Sequence, residues 1–95
     1  MMSEIRRETE GSKGRYVVDT GHGEAELTYS VLSPTRIIAD HTGVPDAARG
    51  EGWAEKLVTQ LVEDARAEGV TITALCPFVR AWAQRHPMWA EVFDR

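Results

Sequence analysis

The chain has a single cysteine, Cys76, among its 95 residues. A lone cysteine forms no internal disulfide and builds no multi-cysteine zinc site, so whatever chemistry it carries belongs to its thiol. Long apolar runs are missing too: none approaches the ~20 residues of a membrane span, and the charged opening MMSEIRRETEGSKGR lacks the apolar stretch of a signal peptide. A cytoplasmic chain with no membrane partner is the expectation. Internal repeats, low-complexity stretches and Ser/Pro-rich linkers are absent, and 42% hydrophobic content over this length suits one compact domain spanning 1–95. Positive charge is in deficit. The net charge of -4 argues against a nucleic-acid backbone as partner and suits a cationic or lysine-bearing one.

What is present alternates between strand and helix patterns. The first dozen residues are charged and read as frayed chain or a short edge strand. RYVVD (Arg15 to Asp19) is a β-type run, TGHG (Thr20 to Gly23) supplies turn chemistry, and in EAELTYSVL the residues Ala25, Leu27, Tyr29 and Val31 alternate with polar ones as on a half-buried strand. TRIIAD (Thr35 to Asp40) is apolar on both parities and predicts an inner strand covered on both sides. A helix is predicted from Glu51 to Glu68, with Ala54, Leu57, Val58, Leu61, Val62 and Ala65 on one stripe and Gly69 as its stop. VTITAL (Val70 to Leu75) returns to strand, and PFVRAWAQRH restarts a helix that Pro87 interrupts before a last turn, MWAEVF. Strand, helix and strand in succession predict a right-handed βαβ unit. The fold class is therefore α/β, an antiparallel N-terminal sheet leading into one parallel crossover.

Ligands of open α/β sheets collect beyond the carboxyl ends of parallel strands, where helix N-termini also point. His41 follows the first parallel strand, Cys76 follows the second, and RGEG (Arg49 to Gly52) opens the helix between them. A helix N-terminus offers unpaired N–H groups and partial positive charge, glycines at 50 and 52 allow close approach, and Arg49 adds a cation, so an anion such as phosphate fits. Relief of crowding in the turn is the alternative use of these glycines. The nucleotide loop GxxxxGK[ST] and the third glycine of the dinucleotide fingerprint are both absent. Cys76 precedes Pro77 and a new helix, a position that favours a reactive thiolate, although a buried core cysteine is an equal reading. His22 reads as an exposed turn residue, and His86 either shapes a ligand site with Arg80 and Arg85 or caps the helix before Pro87. His22, His41, His86 and Cys76 contain no close ligand pair, so no metal site is expected. Phe78, Trp82, Trp89 and Phe93, and Trp53 with them, read as core aromatics.

RGEGWA fits the R/Q-x-x-G-x-G/A signature of the GNAT superfamily of N-acetyltransferases. More specifically, DHTGVPDAARGEG together with LCPFVRAWAQRHP resembles a subfamily of very short GNAT-like proteins that carry H-T-x-V-P, R-G-x-G and C-P-F…R-H-P in this order. The resemblance covers roughly Ala25 to Phe93. It implies a minimal GNAT fold in which two central parallel strands splay apart, with the pantetheine arm of acetyl-CoA in the gap. Val44 would border the pantetheine; Arg49, Gly50, Gly52 and Ala54 would surround the pyrophosphate, with Glu51 and Trp53 contributing backbone amides. His41 and Cys76 would face the thioester. Three departures from the pattern stand out: the acidic Glu51 beside the implied phosphates, Trp53 in place of a smaller aliphatic residue, and no tyrosine beyond Tyr16 and Tyr29 in the N-terminal sheet.

The function so implied is acetyl transfer from acetyl-CoA to a primary amine, on a small molecule or a lysine side chain, by a monomer. Cys76 would act as nucleophile with His41 accepting its proton, or as acid in a direct transfer with His41 or water as base. A CoA-binding module without turnover, and an interaction domain with a degenerate pocket, are the alternatives from other classes.

Overall fold

The computed structural model describes residues 4–94; Met1 to Ser3 of the charged N-terminal stretch, and Arg95, lie outside the described residues. Five strands lie side by side in sequence order: β1 (Arg6–Glu10), β2 (Lys13–Asp19), β3 (Glu24–Ser33), β4 (Arg36–Gly43) and β5 (Thr71–Ala74). The first four are antiparallel neighbours. β4 and β5 are parallel, joined by the helix α1 (Trp53–Glu68). A second helix, α2 (Pro77–Arg85), and a 3-10 segment at Pro87–Val92 complete the chain.

β1 is one of the two edge strands, exposed along its whole length, and its charges blunt that edge against pairing with other chains. It is held to α1 by Arg7, whose guanidinium donates to Glu68 Oε2 at 2.6 Å and to the Tyr29 hydroxyl at 3.0 Å. The Glu68 carboxylate raises the Arg7 pKa further above the ordinary arginine range, so this tie stays charged.

The core lies between the sheet and the two helices. Tyr16, Val18, Ala25, Leu27, Tyr29, Ile37, Ala39 and Ile72 face Leu57, Val58, Leu61, Val62 and Ala65 of α1 and Val79 and Trp82 of α2. Each fully buried Leu or Val contributes about 1.5–3 kcal/mol. The stripe expected on α1 is therefore the stripe that is buried, except that Ala54 stays half-exposed at the mouth of the helix. Gly69 in the left-handed region turns the chain out of α1, and Val70 N donates back to Ala65 O at 2.9 Å in a Schellman closure.

Three boundaries differ from the sequence pattern, each for a local reason. Gly50 and Gly52 have φ of 86° and 84°, so α1 begins at Trp53 rather than Glu51. Val31 is exposed because the β3–β4 register shifts between Val31 and Ser33, which breaks the alternation. The core cluster takes in Ile37 and Ala39 of β4 but not Ile38, so this strand is packed by core on one face and not on both as its composition suggested.

Two irregularities in β4 position everything that follows. The ladder to β5 ends at Ala39–Ala74, where Leu75 N and Cys76 N both donate to Ala39 O, at 3.1 and 2.9 Å. Pro77 then starts α2 and leads the chain away, while β4 continues to Gly43 paired with β3. The parallel strands thus diverge. In addition, Tyr29 pairs with Ala39 and Thr28 with His41, which leaves Asp40 as an extra residue, a β-bulge.

Candidate active site

The bulge decides which side chains reach the divergence. With regular alternation, the parity of the buried Ile37 and Ala39 would bring His41 to the core face. The extra residue reverses it: Thr42 pairs with the buried Leu27, and His41 pairs with Thr28 and is exposed. Cys76 is buried at 3% exposure and its Sγ lies 3.4 Å from Thr42 Oγ1. The residue brought to Cys76 is therefore Thr42, and the His41–Cys76 contact that the nucleophile alternative needs is not formed. His41 stands on the opposite face of β4 from Thr42, with its ring beside Gly43.

A cleft of about 370 Å³ runs from this point to the start of α1, lined by Thr42, Val44, Arg49, Gly50, Gly52, Trp53, Ala54 and Phe78, with Ala48 and Glu55. Val44, Arg49, Gly50, Gly52, Trp53 and Ala54 are brought together along it, while His41 and Cys76 are not among its lining residues. Glu51 does not line the cleft. Its carboxylate is exposed and accepts a hydrogen bond from Trp53 Nε1 at 2.7 Å. Thr42, Ala48 and Glu55 are lining residues that the sequence reading left unassigned, and Phe78, read there as a core aromatic, lines the cleft as well. Phe78 follows Cys76 by two positions on α2, and its spacing with Trp82 resembles a core pattern.

The loop is built to leave its amides open. A short 3-10 turn, Asp46–Ala48, precedes Arg49, and the two left-handed glycines follow. Gly52 caps α1 with no side-chain hydrogen bond to the first-turn N–H groups. A Cβ built on Gly50 or Gly52 would meet nothing within 4 Å, so open space, not crowding, surrounds both glycines. Left-handed backbone and unpaired N–H groups at a helix start make an anion cradle, and a CoA pyrophosphate fits its chemistry. Arg49 is 73% exposed on its side chain and is paired only loosely, at 3.2 Å from Asp46 Oδ1, itself almost fully exposed. Such a pair contributes little to stability and leaves the guanidinium free to swing to an anion.

The other histidines and the two tyrosines are placed as follows. His86 ends α2, its Nδ1 lies 2.7 Å from Trp82 O, and its ring stacks on Trp82 with centroids 3.9 Å apart. This is the capping role; the ring does not line the cleft, although its Nε2 lies 4.0 Å from Glu55 Oε1 at the cleft wall. His22 sits exposed in the β2–β3 turn. Tyr16 and Tyr29 are both buried, and their hydroxyls are engaged with Asp64 and Arg7. Among the described residues there is no cluster of three or more His, Cys, Asp or Glu placed to hold a metal ion. No helix among them is long and apolar enough to cross a membrane.

Comparison with other proteins agrees with this geometry. The NMR solution structure of a GCN5-like protein from Staphylococcus aureus superposes with a TM-score of 0.67 at 29% identity, covering 98% of this chain and 91% of that one. No curated protein matches. The model of the GCN5-related N-acetyltransferase family matches residues 15–92. Diverging parallel strands, a glycine cradle at the crossover helix and this match together place the chain in the GCN5-related N-acetyltransferase family, whose members carry out acyl transfer.

Proposed function

We propose that the protein transfers the acetyl group of acetyl-CoA to a primary amine, on a small molecule or a lysine side chain, and that it works as a one-domain monomer. The observation that carries this reading is the cleft itself, which joins the Gly50–Gly52 cradle at one end to Thr42 at the other, where the Thr42 hydroxyl touches the buried Cys76 thiol behind it. Acetyl-CoA supplies the activated acetyl thioester. Backbone amides after Gly50 and the Arg49 guanidinium hold its pyrophosphate, Val44 and Phe78 flank the arm, and the free edge of β4 beyond Ala39 receives it.

Direct transfer assigns Cys76 and His41 opposite roles on opposite sides of β4. Cys76, on the core side, gives a proton to the departing thiolate. His41, exposed on the outer face, accepts the proton of an amine arriving from there. Separation of the two groups by the strand suits an acid and a base that act on opposite sides of one carbonyl carbon. A free thiol as a working group also suits a reducing compartment, the cytoplasm.

Two measurements test the reading. Acetyl-CoA at about 100 times its dissociation constant stabilises the fold by ~2.7 kcal/mol; no thermal shift at saturation removes the CoA site. Acetylation of a panel of amines follows, with Cys76→Ala and His41→Ala each expected to lower kcat about 100-fold or more. Binding without acetylation of any amine would favour the non-catalytic module.

A further inference from the structure

We infer that Thr42 is the positioning residue for Cys76, a role that rests on the acetyl-transfer reading above. Thr42 Oγ1 and Cys76 Sγ are 3.4 Å apart, and the thiol is buried on the core side. Thr42 reaches it because the Asp40 bulge turns residue 42 inward against Leu27. Thr42 also lines the cleft, so the residue that contacts the thiol also borders the open space that leads to the glycine cradle. The backbone at Cys76 is fixed separately by its N–H bond to Ala39 O at 2.9 Å. Main chain and side chain are thus each held by β4, and the sulfur is left with one defined direction.

The chemistry needs such a group. In the transfer, the amine nitrogen forms a bond to the acetyl carbon, the carbon–sulfur bond of the thioester breaks, and its electron pair leaves on the CoA sulfur. That sulfur takes the Cys76 proton, and the proton lost by the amine passes to His41 and then to water. Cys76 is left as a buried thiolate until water reprotonates it. A buried charge without a hydrogen-bond donor is costly, and Thr42 supplies the donor: its hydroxyl accepts from the thiol before proton transfer and rotates to donate to the sulfur afterwards. The β-branched side chain, with restricted χ1, keeps that oxygen in place.

The test compares Thr42→Val, which keeps the shape and removes the hydroxyl, with Thr42→Ser, which keeps the hydroxyl. Cys76 is the only cysteine, so the infrared S–H stretching band reports its hydrogen bonding without labels. The expected result is a band displaced to the free-thiol position in Thr42→Val and restored in Thr42→Ser. With the best amine of the panel, kcat should fall about tenfold or more in Thr42→Val at unchanged KM for acetyl-CoA, and recover in Thr42→Ser. An unmoved band in Thr42→Val overturns the contact. A displaced band with unchanged kcat overturns the positioning role and leaves only packing. A wild-type chain that acetylates no amine overturns the transfer reading and the positioning role with it, whereas an active wild type with an equally active Thr42→Val overturns this inference alone.

Discussion

Glu51 Oε1 accepts a hydrogen bond from the Trp53 indole Nε1 at 2.7 Å. The two side chains that depart from the family pattern are therefore partners. The indole holds the carboxylate on the exposed side of the loop, and Lys56 Nζ sits 4.5 Å from the centre of the Trp53 ring. An acidic residue in RGEG is thereby kept from the open face of the cradle. Trp53→Phe removes the tether and frees the charge near the helix N-terminus, where it competes with a bound phosphate. Acetyl-CoA affinity should fall about two- to fivefold in that variant, the range of a charge acting at a helix end. Titration calorimetry on the double variant Trp53→Phe with Glu51→Gln should show wild-type affinity restored. Equal loss in the single and double variants would assign the effect to the indole alone.

The two glycines of the cradle make a separable prediction. Gly50, Gly52 and Gly69 all have positive φ, so alanine at any of them should cost about 1–2 kcal/mol in urea denaturation. Only the first two face the cleft. Alanine at 50 or 52 places a methyl group in the space a pyrophosphate would fill and should abolish the acetyl-CoA thermal shift, while Gly69→Ala should retain it. Loss of the shift in all three would trace it to global destabilisation.

How far the site is legible in the sequence depends on whether local pattern or cross-strand pairing sets each part. α1 can be read directly, because its apolar stripe and Gly69 are periodic, local signals. The cradle can be read for the same reason: left-handed glycines and an uncapped helix start are properties of a few consecutive residues. The faces of His41 and Thr42 cannot. They follow from the extra residue at Asp40, which exists only in the pairing of β4 with β3, and nothing in RIIADHTG marks it. Thr42 is overlooked for that reason, and so is the separation of His41 from Cys76 by the strand. The Glu51–Trp53 bond is invisible in another way. Each residue is anomalous alone, and the geometry of the αL turn between them is what brings them together.

Arg49 should matter to the ligand and hardly at all to the fold. Its pairing with Asp46 is exposed on both sides, and exposed pairs are worth little. Arg49→Gln is expected to leave the urea midpoint within error of wild type. Acetyl-CoA affinity should drop about tenfold, the loss of one charge-assisted hydrogen bond of ~1.5 kcal/mol. The wild-type affinity should weaken as salt is raised, and the variant's should weaken less. Parallel salt dependences would mean the guanidinium does not reach the phosphates.

The core carries a pH dependence of its own. Tyr16 Oη donates to Asp64 Oδ2 at 2.8 Å. Burial of the phenol, reinforced by that hydrogen bond, pushes its pKa well above the ordinary value of 10.0, against a smaller opposing pull from Arg7. The sign follows from where each state loses the proton. Below pH ~10 both folded and unfolded chains keep it, and the full contribution is present. Above that, the unfolded chain releases the proton while the folded chain holds it, so stability falls as pH rises towards the folded value. Urea midpoints should therefore decline from about pH 10 upward in the wild type and decline less in Tyr16→Phe. The variant should be roughly 1 kcal/mol less stable at neutral pH through the lost hydrogen bond. Asp64 is not stranded by the change, because Gln60 Nε2 still donates to it at 3.0 Å and Arg7 Nη1 remains 3.6 Å away. Equal alkaline slopes in the two proteins would show that some group other than this phenol governs the loss.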